Sequence, residues 1–427
     1  MKRLLLPLLA LVSTPAFAQT IAITGGKVVI GDGSAPIERG TVVIANGRVI
    51  AAGSTVAIPA GAQRIDATGK WVTPGIVAGF SRIGLAGVDG VDESNDTAAK
   101  SSPFSASLDI ALAVNPDVEA ISVNRAAGVT RAVVSPDAGN AIFAGQGAVI
   151  DTGADHDPIT RARAFQFVEF GQTGASRAGG SRPAIFATFR NALAEARDYQ
   201  VGRLREDSLL KRADAAALVP VITGAQKLVV HAESATDILA VLSLKREYPT
   251  LSLVLVGVTE GWRVADRIAA AGVPVIASAV NDLPAAFDQI AATQSNVGRM
   301  KAAGVTVAIG MIDDDDTRQA MHGAQYAGNL VALTRVPGAT GLSWNDAFAA
   351  ITSKPALAIG MGSEIGSLQP GRRGDVVIWD GDPLEVTSGV EAVWIDGVRQ
   401  PLDTRQTRLR ARYAHPQEGN LPKAYDR

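Results

Sequence analysis

The chain's reactive side chains are few. Its only histidines are His156, His231, His322 and His415, and it has no cysteine. Thiolate metal sites, cysteine nucleophiles, disulfides and a lipidated cysteine anchor are therefore excluded. His231 closes the apolar run Leu228-Val229-Val230, where a strand would end. His156 lies in a polar loop, His322 follows an acidic run and His415 is near the C-terminus. Those three read as ordinary surface histidines, whereas a side chain at a strand end can be aimed into a site. Four consecutive carboxylates, Asp313 to Asp316, offer hard oxygen ligands of the kind calcium or magnesium takes. They lack the alternating Asp-x-Asp spacing and the glycine of a calcium loop, and consecutive carboxylates on a loop diverge into water. Gly139, Gly145 and Gly147 fall in a Gly- and Ala-rich stretch from Asp137 to Gly153. No Gly-Lys-Ser/Thr ending follows, so an inserted hairpin is favoured there over a phosphate-cradling loop.

The elements that would position these groups fall into two textures. From Ile21 to Val72, short β-branched runs alternate with glycine: Lys27 to Ile30, Thr41 to Ile44 and Arg48 to Ala52. Asn46-Gly47 between the last two suits a type I′ hairpin turn. The same texture returns at Asp375 to Trp379 and Ala392 to Ile395, followed by Asp396-Gly397. Each half-sheet is too small to bury a core alone, so the two ends of the chain are expected to close on one another. In between, strands alternate with helices. Leu228 to His231, Leu251 to Gly257, Val273 to Ala277 and Val305 to Ile309 read as strands. Ser234 to Glu247, Trp262 to Ala271 and Ala285 to Ala302 read as helices, the first with Ser234 and Asp237 at capping-box spacing. Ile121 to Gly128 and Ile185 to Tyr199 are further helices flanking the strand Thr130 to Val134. Repeated βα units imply a parallel sheet.

With 427 residues, 47% of them hydrophobic, the chain can bury one large core and one smaller one. Residues 1–18 read as a signal peptide: Lys2 and Arg3, the apolar run Leu4 to Val12, and Ala16-Phe17-Ala18 as the cleavage site. That apolar run is shorter than the ~20 residues a bilayer span needs, and no later segment is long and apolar enough, so no membrane span is expected. The expected address is periplasmic or secreted. A formal net charge of -2 provides no general field for nucleic acid. Residues 403–427 form a basic tail, with Arg405, Arg408, Arg410 and Arg412.

The stretch Lys70-Trp71-Val72-Thr73-Pro74-Gly75-Ile76-Val77-Ala78-Gly79-Phe80-Ser81-Arg82 resembles the start of the barrel in the metal-dependent amidohydrolase superfamily. There, Pro-Gly-x-x-Asp-x-His-x-His closes the first barrel strand. The resemblance continues through Val230-His231-Ala232, Ala265-Asp266-Arg267, Gly272-Val273-Pro274-Val275, Ile351-Thr352 with Pro355-Ala356, and Gly366-Ser367-Leu368-Gln369-Pro370-Gly371 with Asp375 to Trp379. The secreted, imidazolonepropionase-like branch is the most similar. The resemblance implies an α/β fold: a (β/α)8 TIM-like barrel over 74–362, with a composite β-sandwich domain built from 19–73 and 363–402.

It also implies a site at the C-terminal strand ends. The ligands would be two histidines after strand one, one after strand five, often another after strand six, and an aspartate after strand eight. A catalytic zinc takes about three protein ligands and lowers the pKa of its water to ~7. Here Ala78 stands at the first aspartate position, Phe80 and Arg82 at the first histidine pair and Gly257 at the strand-six ligand. His231 keeps the strand-five position, and Ile312 or Asp313 falls at the strand-eight aspartate. A guanidinium ~4 Å from a divalent cation is repelled by about 8 kcal/mol at an effective dielectric of ~20. The implied metal site is thus degenerate and no metal cofactor is expected. His231 and Asp313 are the only family-position candidates.

Two functions follow. In one, the fold is kept as a pseudoenzyme that binds a small, anionic molecule, or that serves as a subunit, either in a homo-oligomer or beside an intact amidohydrolase paralogue. In the other, a periplasmic hydrolase of non-peptide carbon–nitrogen bonds uses a rearranged site, with His231 as base or zinc ligand, Asp313 as proton shuttle and Arg82 stabilising an oxyanion.

Overall fold

The computed structural model describes residues 20–88, 90–312 and 318–414. The chain opens with five strands, β1 (Ile21–Val28), β2 (Ile37–Ala45), β3 (Arg48–Gly53), β4 (Gln63–Asp66) and β5 (Trp71–Pro74). Eight more follow: β6 (Ile76–Ser81), β7 (Val129–Val134), β8 (Phe143–Asp151), β9 (Ile159–Glu169), β10 (Lys227–Ala232), β11 (Ser252–Gly257), β12 (Val275–Ala277) and β13 (Val307–Ile309). The last three are β14 (Val376–Trp379), β15 (Val390–Ile395) and β16 (Val398–Arg399).

The terminal strands make one continuous sheet in the order β16-β15-β14-β5-β1-β2-β3, with β4 also on β1. Ile23, Val42, Ile44, Val72, Ile378 and Trp394 share its core. The β2–β3 turn has the positive φ angles expected of Asn46 (52°) and Gly47 (73°), and Asp396 and Gly397 repeat them at 49° and 75°.

β6 to β13 form an eight-stranded barrel-like sheet in chain order, and Met311 N–H donates to the Phe80 carbonyl at 3.1 Å, tying the last strand to the first. The sheet is not wholly parallel. β8 runs antiparallel to both β7 and β9, so the glycine-rich stretch read as an inserted hairpin supplies a wall of the barrel itself. Gly147 permits this, because a Cβ there would lie 2.0 Å from the Phe165 ring. The helix expected over 285–302 is instead a short 3-10 turn at Phe287–Gln289 and a helix at Asn296–Ala302. The helix Ala235–Glu247 begins as expected, with Ser234 Oγ accepting from Asp237 N–H at 3.1 Å.

Alternation along the strands divides the side chains. Leu228 and Val230 face the helices, while Val229 joins Val77, Phe80, Phe165, Phe167, Val254 and Ile276 inside the barrel. The tail begins as a helix, Arg405–Tyr413, whose first N–H donates to Glu119 at 2.6 Å.

Candidate functional site

Two residues on from Val229 along β10 is His231, and two further is Glu233, so the period of two puts all three on the inward face. On the neighbouring strand, Phe165, Phe167 and Glu169 follow the same rule, and Glu169 is the register partner of His231. The result is a carboxylate on either side of one imidazole at the C-terminal strand ends. His231 Nδ1 lies 2.7 Å from Glu169 Oε2, and its Nε2 lies 2.9 Å from Glu233 Oε1. Burial alone would lower the histidine's pKa. The charge and hydrogen bond of Glu169, followed by those of Glu233, outweigh it and hold the pKa well above the ordinary value. Each ring nitrogen of His231 thus faces one carboxylate, an arrangement that favours the protonated ring. Burial also pushes Glu233 upward, but the bonds from His231 and from Thr259 N–H, at 2.8 Å, prevail and lower it.

Gly257, at the end of β11, is part of this construction. Its φ is +86°, and a Cβ there would sit 2.4 Å from Glu233 Oε1 and 2.8 Å from His231 Cδ2. The residue at the strand-six ligand position thus makes room for the ion pair. Phe80, at the end of β6, is buried in the barrel interior with its ring 5.6 Å from that of Phe167.

Arg82 follows β6, is 8% exposed and lies 3.3 Å from Asp137 through Nη2. It lines a cavity of about 490 Å³ together with Lys100, Arg318, Asp92, Asp137 and Asn95. His231 and Glu233 border a different cavity of about 370 Å³, with Arg177, Asp288, Thr173 and Gln289. Among the described residues, the two cavities share no lining residue. Asp313, like His415, lies outside the described residues. His156 is exposed, 3.8 Å from Asp117, and His322 has its ring 6.4 Å from that of Tyr326.

Glu169 and Glu233 were not singled out by the sequence. For Glu233 a signal existed, since His231-x-Glu233 on a strand places both groups on one face. For Glu169 there was none, because the 62 residues separating it from its partner are bridged only by strand pairing.

A divalent metal does not fit the described residues. Both His231 nitrogens are engaged by carboxylates, Phe80 and Gly257 offer no ligand atom, and Arg82 brings positive charge. Among the described residues, no group of three or more acidic or histidine side chains is arranged to hold an ion.

The sequence pattern of the amidohydrolase family matches residues 260–399. Over 384 residues the chain is 24% identical to the amidohydrolase tasK of Hapsidospora irregularis, covering 80% of this chain and 38% of that one. Over 125 residues it is 33% identical to the imidazolonepropionase of Maricaulis maris (strain MCS10), covering 29% of this chain and 28% of the relative. Under half of either relative's length is therefore matched. Among solved structures, an amidohydrolase from Thermotoga maritima MSB8 superposes with a TM-score of 0.78 at 23% identity, covering 89% of this chain and 99% of that one. Molinate hydrolase superposes with a TM-score of 0.55 at 19% identity, over 95% and 99% of the two chains. The barrel and composite sheet share the fold of these solved amidohydrolases, and residues 260–399 match the amidohydrolase family.

Proposed function

We propose that this chain is a binding member of a family whose relatives hydrolyse carbon–nitrogen bonds, and that it no longer performs metal-assisted hydrolysis. The observation that carries the reading is the state of His231. With each ring nitrogen engaged by a buried carboxylate, His231 offers no free lone pair to a metal or to a substrate proton.

In this reading the cavity at Arg82 takes a small anionic molecule. Among the described residues, Arg82, Lys100 and Arg318 bring positive charge to its lining, alongside Asp92 and Asp137. The chain acts as a binding subunit, in a homo-oligomer or beside an intact amidohydrolase. It is exported, with cleavage after Ala18, as Lys2, Arg3, the run Leu4 to Val12 and Ala16-Phe17-Ala18 indicate. Among the described residues, no helix is long and apolar enough to cross a membrane.

The test is elemental analysis of the purified protein together with a hydrolysis screen over amides, lactams and dipeptides. The expected result is less than stoichiometric zinc, no turnover, and no change in either on His231→Ala. Arg82→Ala should weaken binding of small carboxylates without creating a metal site. Stoichiometric zinc lost together with hydrolysis in His231→Ala would overturn the reading in favour of a rearranged active site using His231, Asp313 and Arg82.

A further inference from the structure

The geometry points to the C-terminal helix Arg405–Tyr413 as an element that docks the protein reversibly on a membrane surface rich in anionic phospholipid. The inference goes beyond the binding role of the barrel and does not rest on it. The base of the helix is fixed, while its body is unpacked. Leu402 lies against the barrel core, Arg125 Nε donates to the Pro401 carbonyl at 3.0 Å, and buried Thr404 closes a capping box with Thr407. From Arg405 to Tyr413, by contrast, no residue is buried. Arg405, Arg408, Arg410 and Arg412 are all exposed, and so is Tyr413.

Such a helix is poorly explained by the fold alone. Its 9 residues fall short of the roughly 12–15 at which an isolated helix becomes even marginal in water. Arg405 and Arg408 at i, i+3, and Arg408 and Arg412 at i, i+4, repel one another. Arg405 also stands in the first turn, where the helix dipole disfavours a cation. Among the described residues one carboxylate serves the row: Glu119 accepts from Arg405 N–H at 2.6 Å and lies 3.8 Å from Arg408. The side chains of 415–427 add no net charge, since Glu418 and Asp426 balance Lys423 and Arg427. The surplus is thus local, on a chain whose formal net charge is -2. A plane of lipid phosphates supplies what the row lacks, because each guanidinium can take a phosphate bidentately and its neutralisation removes the repulsion along the helix. Leu409 and Tyr413, one turn apart, suit the boundary between headgroups and acyl chains, which nucleic acid and an acidic protein do not offer. Four basic residues on one helix is a cluster of the size that recognises anionic lipid, and one such patch gives reversible docking.

Co-sedimentation of the full chain at pH 7 with phosphatidylcholine vesicles, with and without phosphatidylglycerol, tests this. Phosphatidylglycerol should raise the affinity at least tenfold, and added salt should weaken it. The combined variant Arg405→Gln, Arg410→Gln, Arg412→Gln removes three exposed charges without touching a packed residue. It should lose at least tenfold in affinity for the anionic vesicles, each arginine near the surface contributing roughly fivefold. Arg405→Lys, Arg410→Lys and Arg412→Lys together should keep most of the binding. All variants share residues 1–18, so that apolar segment contributes equally to each. Hydrogen exchange of the backbone over 405–413 should slow severalfold on the anionic vesicles. Inorganic phosphate at the same phosphate concentration should not displace the protein, which separates a lipid surface from a free anion. Equal affinity for both kinds of vesicle, indifference to the glutamine substitutions, displacement by inorganic phosphate, or tighter binding to duplex DNA or polyglutamate would overturn the proposal.

Discussion

Each end of the barrel holds a cationic side chain among carboxylates, and the two differ in kind and in burial. At the C-terminal strand ends it is His231, whose side chain is 21% exposed, between Glu169 and Glu233. At the opposite end it is Arg131 of β7, whose side chain is fully buried. Arg131 bonds Asp375 at 2.7 and 2.9 Å, Asp396 at 2.8 Å and Thr160 at 2.6 Å, and lies 3.4 Å from Asp151, its register partner on β8. Asp375 precedes β14 and Asp396 lies in the β15–β16 turn, so this guanidinium rivets the barrel to the composite sheet. Burial would lower its pKa, but Asp375 and then Asp396 drive it upward, and it never gives up its proton. His231 can. A permanent cation suits a joint, and a titratable one suits a wall that meets solvent and ligand.

The sharpest way to break this comparison is Arg131→Met. It leaves Asp375 and Asp151 without their counter-charge and Asp396 with Arg373 alone, and a loss of about 3–5 kcal/mol in denaturant unfolding is expected. A loss below 1 kcal/mol would mean the joint is held by its apolar contacts instead. His231→Gln at the other end should cost about 2–3 kcal/mol near pH 6, since two buried carboxylates lose one shared donor pair. Its pH dependence separates the two cations. The folded pKa of His231 is raised, so its contribution is complete below about pH 6.5 and fades as pH climbs through the raised value. The gap between wild type and His231→Gln should therefore narrow in alkali, whereas the Arg131→Met gap should not.

Gly257→Ala should cost about 2 kcal/mol, from its φ of +86° and the approach to Glu233, and should shift the His231 ring resonances. The smallest effect belongs to Asp151. Burial, against the pull of Arg131, raises its carboxyl from 3.8 to about 6. An acid whose pKa is raised on folding costs stability as pH rises from about 4 through 6, so Asp151→Asn should gain about 1 kcal/mol at pH 8 and nothing at pH 4. Equal effects at both pH values would show that Asp151 is not the strained member of the joint.

Much of the frame was legible in the sequence, because local chemistry dictates it. Asn46-Gly47 names its turn, Ser234 caps its helix, and the Pro74-Gly75 motif together with Gly366 to Trp379 marks where the chain leaves one sheet and returns to it. His231 and Gly257 were found at strand ends for the same reason. What escaped depends on partners remote in sequence. Arg131 reads as a lone charge in the β-branched run Val129 to Val134, and nothing in the sequence reveals that Asp375, 244 residues on, lies beneath it. The reversal of β8 was hidden because strand direction is written in the connections rather than in the strand's own composition. Gly257 looked like a mere loss of a ligand, yet the backbone of that loop is shaped around the pair that replaced it.

The pairing of β5 with β14 has a consequence for how the molecule comes into being. Trp71 to Pro74 bond with Val376 to Trp379, so a strand made early must wait some three hundred residues for its neighbour. Until then its edge of unpaired N–H and C=O groups is open to any passing strand, and the wait ends only after a very long loop has closed. The barrel can assemble in the order in which it is synthesised, because its strands pair in chain order. The composite sheet cannot, so the last strands to be made complete the first, and a nascent chain arrested before Val376 would carry an unsealed edge.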